Sequence, residues 1–241
     1  MCRGVEPQRR RILDAASIVF GRYGYRRASI GLVAEETGLS RQALYRYFES
    51  KEALFAAAVE DLHRAALEAS DAAAAAASAA GSDSAALLCA QLDARFGYIL
   101  GRLHGSVHAA EMLEESSRQC GAISAEHGRR LEASLARTIA AEHAAGRLPL
   151  SGDVSAAELV ECLIAAARGI KSAVPLPSPE QFRRDLHRMV RLLVAGAAGT
   201  PVRADESAPA ARDARRHRSA KPTAATPRRR FGNRTPKRRM Q

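Results

Sequence analysis

The chain has 241 residues and a formal net charge of +11, from 37 Lys and Arg against 26 Asp and Glu. Most of this charge lies at the end, because residues 201–241 hold 13 basic and 3 acidic residues. The N-terminus lacks the apolar core of a signal peptide, and no segment approaches the ~20 apolar residues that span a bilayer. We therefore expect a cytoplasmic protein with no membrane partner, and the basic balance favours a phosphate-bearing partner such as DNA.

The cysteine pattern and the absence of the common catalytic motifs argue against an enzyme. The cysteines are Cys2, Cys89, Cys120 and Cys162. They form no CxxC pair, which indicates a reducing compartment without a disulfide framework. There is no GxSxG motif and no phosphate-binding glycine loop. His104 and His108 share a helical face with Glu111, but Gly105 beside them favours a solvated or packed pair over a metal site. We expect no metal and no cofactor.

The segment Ser29–Phe48, SIGLVAEETGLSRQALYRYF, has the spacing of two short helices joined by a tight turn. Val33 and Ala34 share one face of its first helix, and Leu44 returns to the same interior from its second helix. Gly38 stands where the first helix must stop, a position that favours a residue without Cβ. The pattern predicts a helix-turn-helix, the alternative being a helical corner of purely structural use.

The second helix of this unit, predicted over residues 41–48, presents mostly donors and aromatic rings to solvent. Arg41 and Gln42 are side chains that can make paired hydrogen bonds to guanine and adenine edges. Tyr45 follows the buried position 44 by one residue and so points about 100° away from the core. Phosphate oxygens typically receive hydrogen bonds from Tyr, Lys and helix N-termini. Ser40 caps this helix and Ser50 caps the next, which begins with Lys51.

Residues 10–59 resemble the DNA-binding region of the TetR family of bacterial transcription regulators, over about a fifth of the chain. The resemblance runs through Ile12, Leu13, Ala15, Ala16, Phe20, Tyr23, Gly24, Tyr25, Ser29, Val33, Ala34, Gly38, Leu39, Ser40, Leu44, Tyr45, Tyr47, Phe48, Lys51, Leu54 and Phe55. It implies that Ser29, Tyr45, Tyr47 and Lys51 contact phosphates. It also implies that Arg41, Gln42, Ala43 and Arg46 face base edges, and Ser40 completes the predicted DNA interface. Gln42 stands where family members often have Gly, which bears on the operator sequence.

Residues 57–199 are rich in alanine, and we expect one larger all-helical domain for effector binding and dimerisation. Its fourth helix runs out of the DNA-binding domain, residues 1–56, and ends near Gly81. A very apolar fifth helix at about Ser84–Leu103 should lie in the middle of the body. Glycines at 97, 101 and 105 predict close helix packing there, with a void as the alternative. The candidate effector residues are Phe96, Tyr98, Ile99, His108 and Met112.

Further helices are predicted over residues 109–119, 123–145, 155–173 and 179–198, separated by Pro149 and the PLPSP stretch. The last two carry apolar faces suited to pairing between subunits. The resemblance implies a homodimer through these two helices. The candidate interface residues are Leu159, Leu163, Ala166, Ile170, Phe182, Leu186, Met189 and Leu193.

Residues 200–241 combine prolines, alanines and arginine clusters without apolar periodicity, which predicts a disordered tail. The tail either binds DNA non-specifically or is a solvated extension. The sequence therefore predicts an all-α, dimeric regulator that recognises a near-palindromic double-stranded DNA operator, a repressor released by a small-molecule effector. The alternative is a constitutive architectural DNA-binding protein that relies on the basic tail and has no effector.

Overall fold

A computed structural model describes residues 7–199, and in this range the fold is all-α and contains no strand, as predicted. The basic tail lies outside the described residues. The helices are α1 Pro7–Arg27, α2 Ile30–Thr37, α3 Arg41–Tyr45, α4 Lys51–Ala79, α5 Ser84–Leu103, α6 Ala109–Ala144, α7 Ala156–Lys171 and α8 Pro179–Ala197. In the described part of the chain, no helix is both long and apolar enough to cross a membrane.

The first three helices and the start of α4 share one hydrophobic core, which we call the head. Phe20 of α1 and Phe55 of α4 meet edge to face with ring centroids 5.1 Å apart, and the Tyr25 ring lies 4.8 Å from Phe55. Leu44 is completely buried in this core. Such aromatic burial fixes the angle between α1 and α4, and with it the position of α3.

The rest of α4 and helices α5 to α8 form the body, with α5 in its middle, as the sequence predicts. One face of α5 contributes Leu88, Leu92 and Phe96 to a core shared with α6, α7 and α8. The ring of Phe182 in α8 lies 6.1 Å from that of Phe96. Because α4 belongs to both the head and the body, a displacement in the body that moves α4 reaches the head.

Two helices differ from their predicted bounds. The helix predicted over residues 41–48 ends at Tyr45, and a turn carries the chain to Phe48, which is buried in the head core. The two helices predicted over 109–119 and 123–145 are one helix, α6, with a kink at Cys120. Cys120 is buried against the head core, so the bend lets α6 follow both head and body without ending.

Among the described residues, no other backbone packs closely against the glycines at positions 97, 101 and 105. A Cβ on Gly101 or Gly105 would have no neighbour within 4 Å, and one on Gly97 would meet only the Asp93 side chain of its own helix. The predicted close packing is therefore wrong. Gly105 has φ +79° instead, and it serves the turn that follows α5.

Candidate nucleic-acid interface

Three serine caps hold the helices that meet at the candidate interface. The hydroxyl oxygens of Ser29, Ser40 and Ser50 accept hydrogen bonds from the backbone N–H groups of Leu32, Ala43 and Ala53, at 3.2, 3.1 and 3.0 Å. Each cap satisfies one donor of a first helical turn and fixes the direction in which that helix begins. Gly38 has φ +71° and ends α2, so the chain turns directly into the cap of α3.

The outer surface of α3 is polar and exposed around a single buried anchor. Leu44 has no solvent exposure, whereas its neighbour Tyr45 is 54% exposed. Arg41, Gln42 and Arg46 are exposed as well. The helix therefore presents two guanidinium groups, an amide and a phenol on a surface that carries no apolar core side chain, which suits recognition of base edges and phosphates.

A groove of about 450 Å³ joins α3 to the N-termini of α2 and α4. It brings together four residues predicted at the interface: Ser29, Arg41, Tyr45 and Lys51. The Arg41 side chain lies flat on α2, since a Cβ on Gly31 would come within 2.5 Å of its Nη2 atom. Glycine at position 31 thus makes room for the guanidinium at the edge of the groove. Glu49 and Glu52 also line the groove.

Lys51 has a structural role that its sequence position does not reveal. Its Nζ donates hydrogen bonds to the backbone oxygens of Tyr25 and Ala28, at 3.1 and 3.3 Å, and lies 4.3 Å from the Tyr25 ring centre. The Tyr25 hydroxyl donates to Glu52 at 3.0 Å. The pKa of the Glu52 carboxyl lies below its usual range, first because its own backbone N–H donates to it and then because Tyr25 does. The pair Lys51 and Glu52 thereby ties the α1–α2 link to α4.

Two further residues predicted at the interface are partly covered. Tyr47 packs against the head core and is only partly exposed, and Ala43 is likewise half-buried on α3. For Tyr47 the reason is that α3 ends at Tyr45 and the following turn brings the chain back toward the buried Phe48.

The predicted effector residues do not form one site. A cavity of about 380 Å³ lies between α1, α4, the end of α5 and the start of α6, and Tyr98 and Met112 line it. Phe96 does not line this cavity, since it faces Phe182 in the body core. Ile99 is buried in a small apolar cluster against which Tyr98 and Met112 pack, and His108 Nδ1 lies 3.4 Å from Glu111 Oε2 at the head–body contact. Tyr98 and Met112 therefore meet at one cavity that Phe96, Ile99 and His108 do not line, and the effector role of all five stays a prediction.

The predicted dimer residues also separate into two sets. Leu159, Leu163, Phe182 and Leu186 are fully buried in the core of their own chain, so they cannot face a partner. Ala166, Ile170 and Leu193 are partly exposed, and Met189 is 42% exposed. Apolar spacing alone could not distinguish the face of α7 and α8 that packs inward from the face that remains outside.

Sequence reasoning missed a cluster of basic residues inside the body. Arg95 of α5 is only 4% exposed, and its Nη2 donates to His63 Nδ1 of α4 at 2.7 Å. His127 of α6 is 1% exposed and stacks on His63, with ring centroids 5.5 Å apart. The available signal was an arginine one turn from Leu92 and Ile99, within the apolar stripe of a buried helix.

Comparison with known proteins agrees with the geometry of the head. Residues 12–58 match the family model described as bacterial regulatory proteins, tetR family. Over 64 residues, the chain is 44% identical to the HTH-type transcriptional repressor Rv1474c of Mycobacterium tuberculosis. That match covers 26% of this chain and 34% of the repressor, so the chain spans about a third of the length of this curated relative.

Solved structures share the fold over most of the chain. A TetR-family transcriptional regulator from Mesorhizobium loti superposes with a TM-score of 0.61 at 18% identity, over 78% of this chain and 96% of its own. SmeT, the repressor of a Stenotrophomonas maltophilia multidrug efflux pump, gives 0.56 at 19% identity, over 78% and 89%. At these identities the likeness concerns the fold alone. With the family-model match at residues 12–58, the head is similar to the DNA-binding region of bacterial regulatory proteins of the tetR family, and the described chain shares the fold of solved regulators of that family.

Proposed function

We propose that this protein is a sequence-specific DNA-binding transcriptional regulator that represses its target genes. The observation that carries the proposal is the surface of α3, where Arg41, Gln42, Tyr45 and Arg46 are exposed around the buried Leu44. Helices of this kind enter the major groove with their first residues nearest the bases. In this arrangement Arg41 and Gln42 read base edges, and Tyr45 holds a phosphate beside the groove of α2 and α4.

The regulator acts as a homodimer. Two heads related by a two-fold axis would read the two halves of a near-palindromic operator, with half-sites a helical turn or more apart. The exposed sides of α7 and α8 support this assembly, since Met189 and Leu192 are each 42% exposed on α8. Cys162, Ala165 and Gly169 are exposed on α7 and lie three or four residues apart, which makes one helical face of small side chains.

A small-molecule effector releases the protein from its operator by acting through α4. The cavity of about 380 Å³ supports this part of the proposal, because Phe55 and Leu62 of α4 line it together with Tyr98 of α5. A ligand that binds there would change the packing of α4 against the body. A coupling free energy of ~1 to 3 kcal/mol between the two sites is enough for a strong switch.

Selection of bound sites from random oligonucleotides tests the DNA-binding proposal, repeated with Arg41→Ala and Tyr45→Ala. We expect a near-palindromic consensus that the wild type prefers over random DNA by ~10³-fold or more. Arg41→Ala should relax the preference at particular base pairs, whereas Tyr45→Ala should weaken all sites alike. Arg137→Ala is a matched control, because Arg137 is exposed on α6 in the body.

The same selection distinguishes an architectural protein from a regulator. An architectural protein would recover no consensus, and its affinity would be the same for all sequences. Equal losses from Arg137→Ala and Arg41→Ala would also contradict the proposal, since they would show that total charge and not α3 determines binding. Reversed effects of the Arg41 and Tyr45 substitutions would overturn the roles assigned to these two residues.

A further inference from the structure

The interior of the body holds several basic side chains, and the most deeply buried cation among them, Arg95, has no carboxylate of residues 7–199 bonded to it. Arg95 is 4% exposed, and within the described residues it forms no ion pair. Its Nε and Nη1 atoms are buried without a hydrogen-bond partner. Guanidinium groups keep their proton in proteins, so the charge cannot be avoided by deprotonation. A buried, unpaired cation is strongly unfavourable and calls for a counter-charge.

The neighbours of Arg95 add positive charge instead of removing it. Lys171 and Arg168 of α7 both lie close enough to interact electrostatically with it, and the Arg168 Nη2 would be 3.1 Å from a Cβ on Gly128 of α6. Burial, followed by the positive charges of Arg95 and Arg168, holds the pKa of Lys171 below its ordinary value. The cluster therefore draws its basic groups from α4, α5, α6 and α7.

Hydrogen bonds hold the imidazoles of the cluster in place, and the imidazoles carry no negative charge. Since a guanidinium only donates, His63 Nδ1 must accept from Arg95, and its Nε2–H then donates to Ser124 Oγ at 3.2 Å. His127 donates from Nε2 to Glu60 at 2.9 Å, and its Nδ1 is buried without a partner. Glu60 is half exposed, and a second half-exposed carboxylate, Glu132, lies 3.8 Å from Arg168, so both stand at the rim of the cluster. Arg95 and His127 thus each keep a buried polar atom without a hydrogen-bond partner in the described structure, and both lie beside His63.

Buried apolar side chains lie next to this cluster. The cavity of about 380 Å³ is a separate space, since Asp14 and Asp61 line it and none of the basic residues of the cluster does. On α5, Leu92 and Ile99 flank Arg95 by one turn on either side, and both are buried. A ligand bound at Arg95 would therefore meet a cationic group between apolar side chains.

We propose that the body binds a small organic acid whose carboxylate pairs with Arg95, with Lys171 nearby, while its apolar portion packs among the buried side chains that flank Arg95 on α5, Leu92 and Ile99. The carboxylate accepts hydrogen bonds from the free Nε and Nη1 donors and supplies the missing counter-charge. This inference rests on the proposed function, because it names the chemical class of the effector.

Binding of octanoate to the full-length chain tests the proposal, with octan-1-ol as the uncharged probe of the same length and inorganic phosphate as the anion without an apolar tail. Isothermal titration calorimetry should show one octanoate per chain, bound at least tenfold more tightly than octanol. Arg95→Gln should abolish that difference. Arg137→Gln removes a positive charge from an exposed position of the same body and should leave it unchanged.

Three results would overturn the proposal. The first is equal affinity for octanoate and octanol, or no binding of either, and the second is octanoate binding that survives Arg95→Gln. The third is tighter binding of phosphate than of octanoate, which would assign the site to a tailless or phosphorylated anion. If circular dichroism shows that Arg95→Gln does not fold, Arg95→Lys and Lys171→Met serve in its place. Each of them should weaken octanoate at least threefold while the affinity for octanol stays constant.

A DNA-binding measurement separates this proposal from the one on which it rests. Fluorescence anisotropy with the selected operator should show release of DNA on addition of octanoate for the wild type but not for Arg95→Gln. If octanoate binds as expected and operator affinity does not change, the acid site holds and effector release fails. If the chain binds its operator and octanoate has no effect on calorimetry, the acid site alone is wrong.

Discussion

Glu111, at the start of α6, accepts a hydrogen bond from the backbone N–H of Arg26 at 2.8 Å, and so joins the body to the end of α1. Gly24 makes this contact possible, because a Cβ there would lie 2.5 Å from Glu111 Oε2. The His108 ring is 3.4 Å from the same carboxylate. The α1–α2 link is thus held from one side by α6 and from the other by Lys51 of α4.

Removing the Glu111 carboxylate should weaken the attachment of the head to the body. Glu111→Leu leaves the Arg26 N–H without its acceptor, and we expect it to lower the free energy of unfolding by about 1 to 2 kcal/mol. Glu111→Gln keeps an acceptor oxygen and should cost less than half as much. Urea denaturation measures both, with Glu114→Leu as a control at an exposed position on the same turn. Equal losses in Glu111→Leu and Glu114→Leu would show that the hydrogen bond contributes nothing to stability.

Two glycines should respond in opposite directions to alanine. Neither a Cβ on Gly38 nor one on Gly101 would meet an atom within 4 Å, but Gly38 has φ +71° and Gly101 is inside helix α5. Gly38→Ala should therefore destabilise by about 1 to 2 kcal/mol through backbone strain alone. Gly101→Ala should stabilise by roughly 0.5 to 1 kcal/mol, because alanine loses less conformational freedom in a helix. Thermal denaturation checks the two signs, and a shared sign would refute the explanation.

The stability of the body should fall as the solution becomes mildly acidic. Burial first, and then the positive charges of Arg95, His127 and Lys171, lower the pKa of His63 from 6.5 to about 3. Between these values the unfolded chain binds a proton at this site that the folded chain excludes. The stability that neutral His63 contributes is therefore complete above pH 6.5 and is lost as the pH falls below it, at about 1.4 kcal/mol per pH unit.

Replacement of His63 by glutamine tests this dependence, since the amide can still accept from Arg95 and donate to Ser124. Urea denaturation between pH 6.5 and 5 should give a flatter dependence for His63→Gln than for the wild type, by about 1.4 kcal/mol per pH unit. Above pH 7 the two proteins should show parallel curves. Identical slopes in the acidic range would mean that the imidazole stays accessible to protons in the folded state.

A charge on the outer face of α8 should prevent dimer formation. Met189 is 42% exposed there, and Met189→Glu would place an unpaired carboxylate in the proposed interface. We expect sedimentation velocity to show at least tenfold weaker self-association. Val107→Glu is a matched control, because Val107 is 90% exposed in the link between α5 and α6. A wild-type monomer, or an unchanged dimer in Met189→Glu, would exclude this face as the interface.

The local features of the head could be predicted from the sequence because each is set within a few residues. Ser29, Ser40 and Ser50 cap helices as expected, since a serine side chain reaches only the N–H groups of the next turn. Gly38 adopts the left-handed conformation that its position implies. Leu44 and Tyr45 face opposite environments because successive helical residues are about 100° apart. The outward direction of Arg41, Gln42 and Tyr45 follows from this short-range geometry, whereas the other residues of the predicted DNA interface were implied by the resemblance to the TetR family, and all their contacts remain predictions.

Only the tertiary structure could decide what each apolar stripe packs against and where buried polar groups meet. Periodicity marks Leu163 and Met189 alike as apolar positions, but Leu163 is buried in its own chain and Met189 is exposed. The reason is that the packing of α7 on α8 and α5 selects one face of each helix. Arg95 and His63 are 32 residues apart in the sequence, and Glu111 and Arg26 are 85 residues apart. No local pattern brings either pair together. Such pairs depend on how whole helices pack, whereas the sequence alone determined the helices, their caps and the outward face of α3.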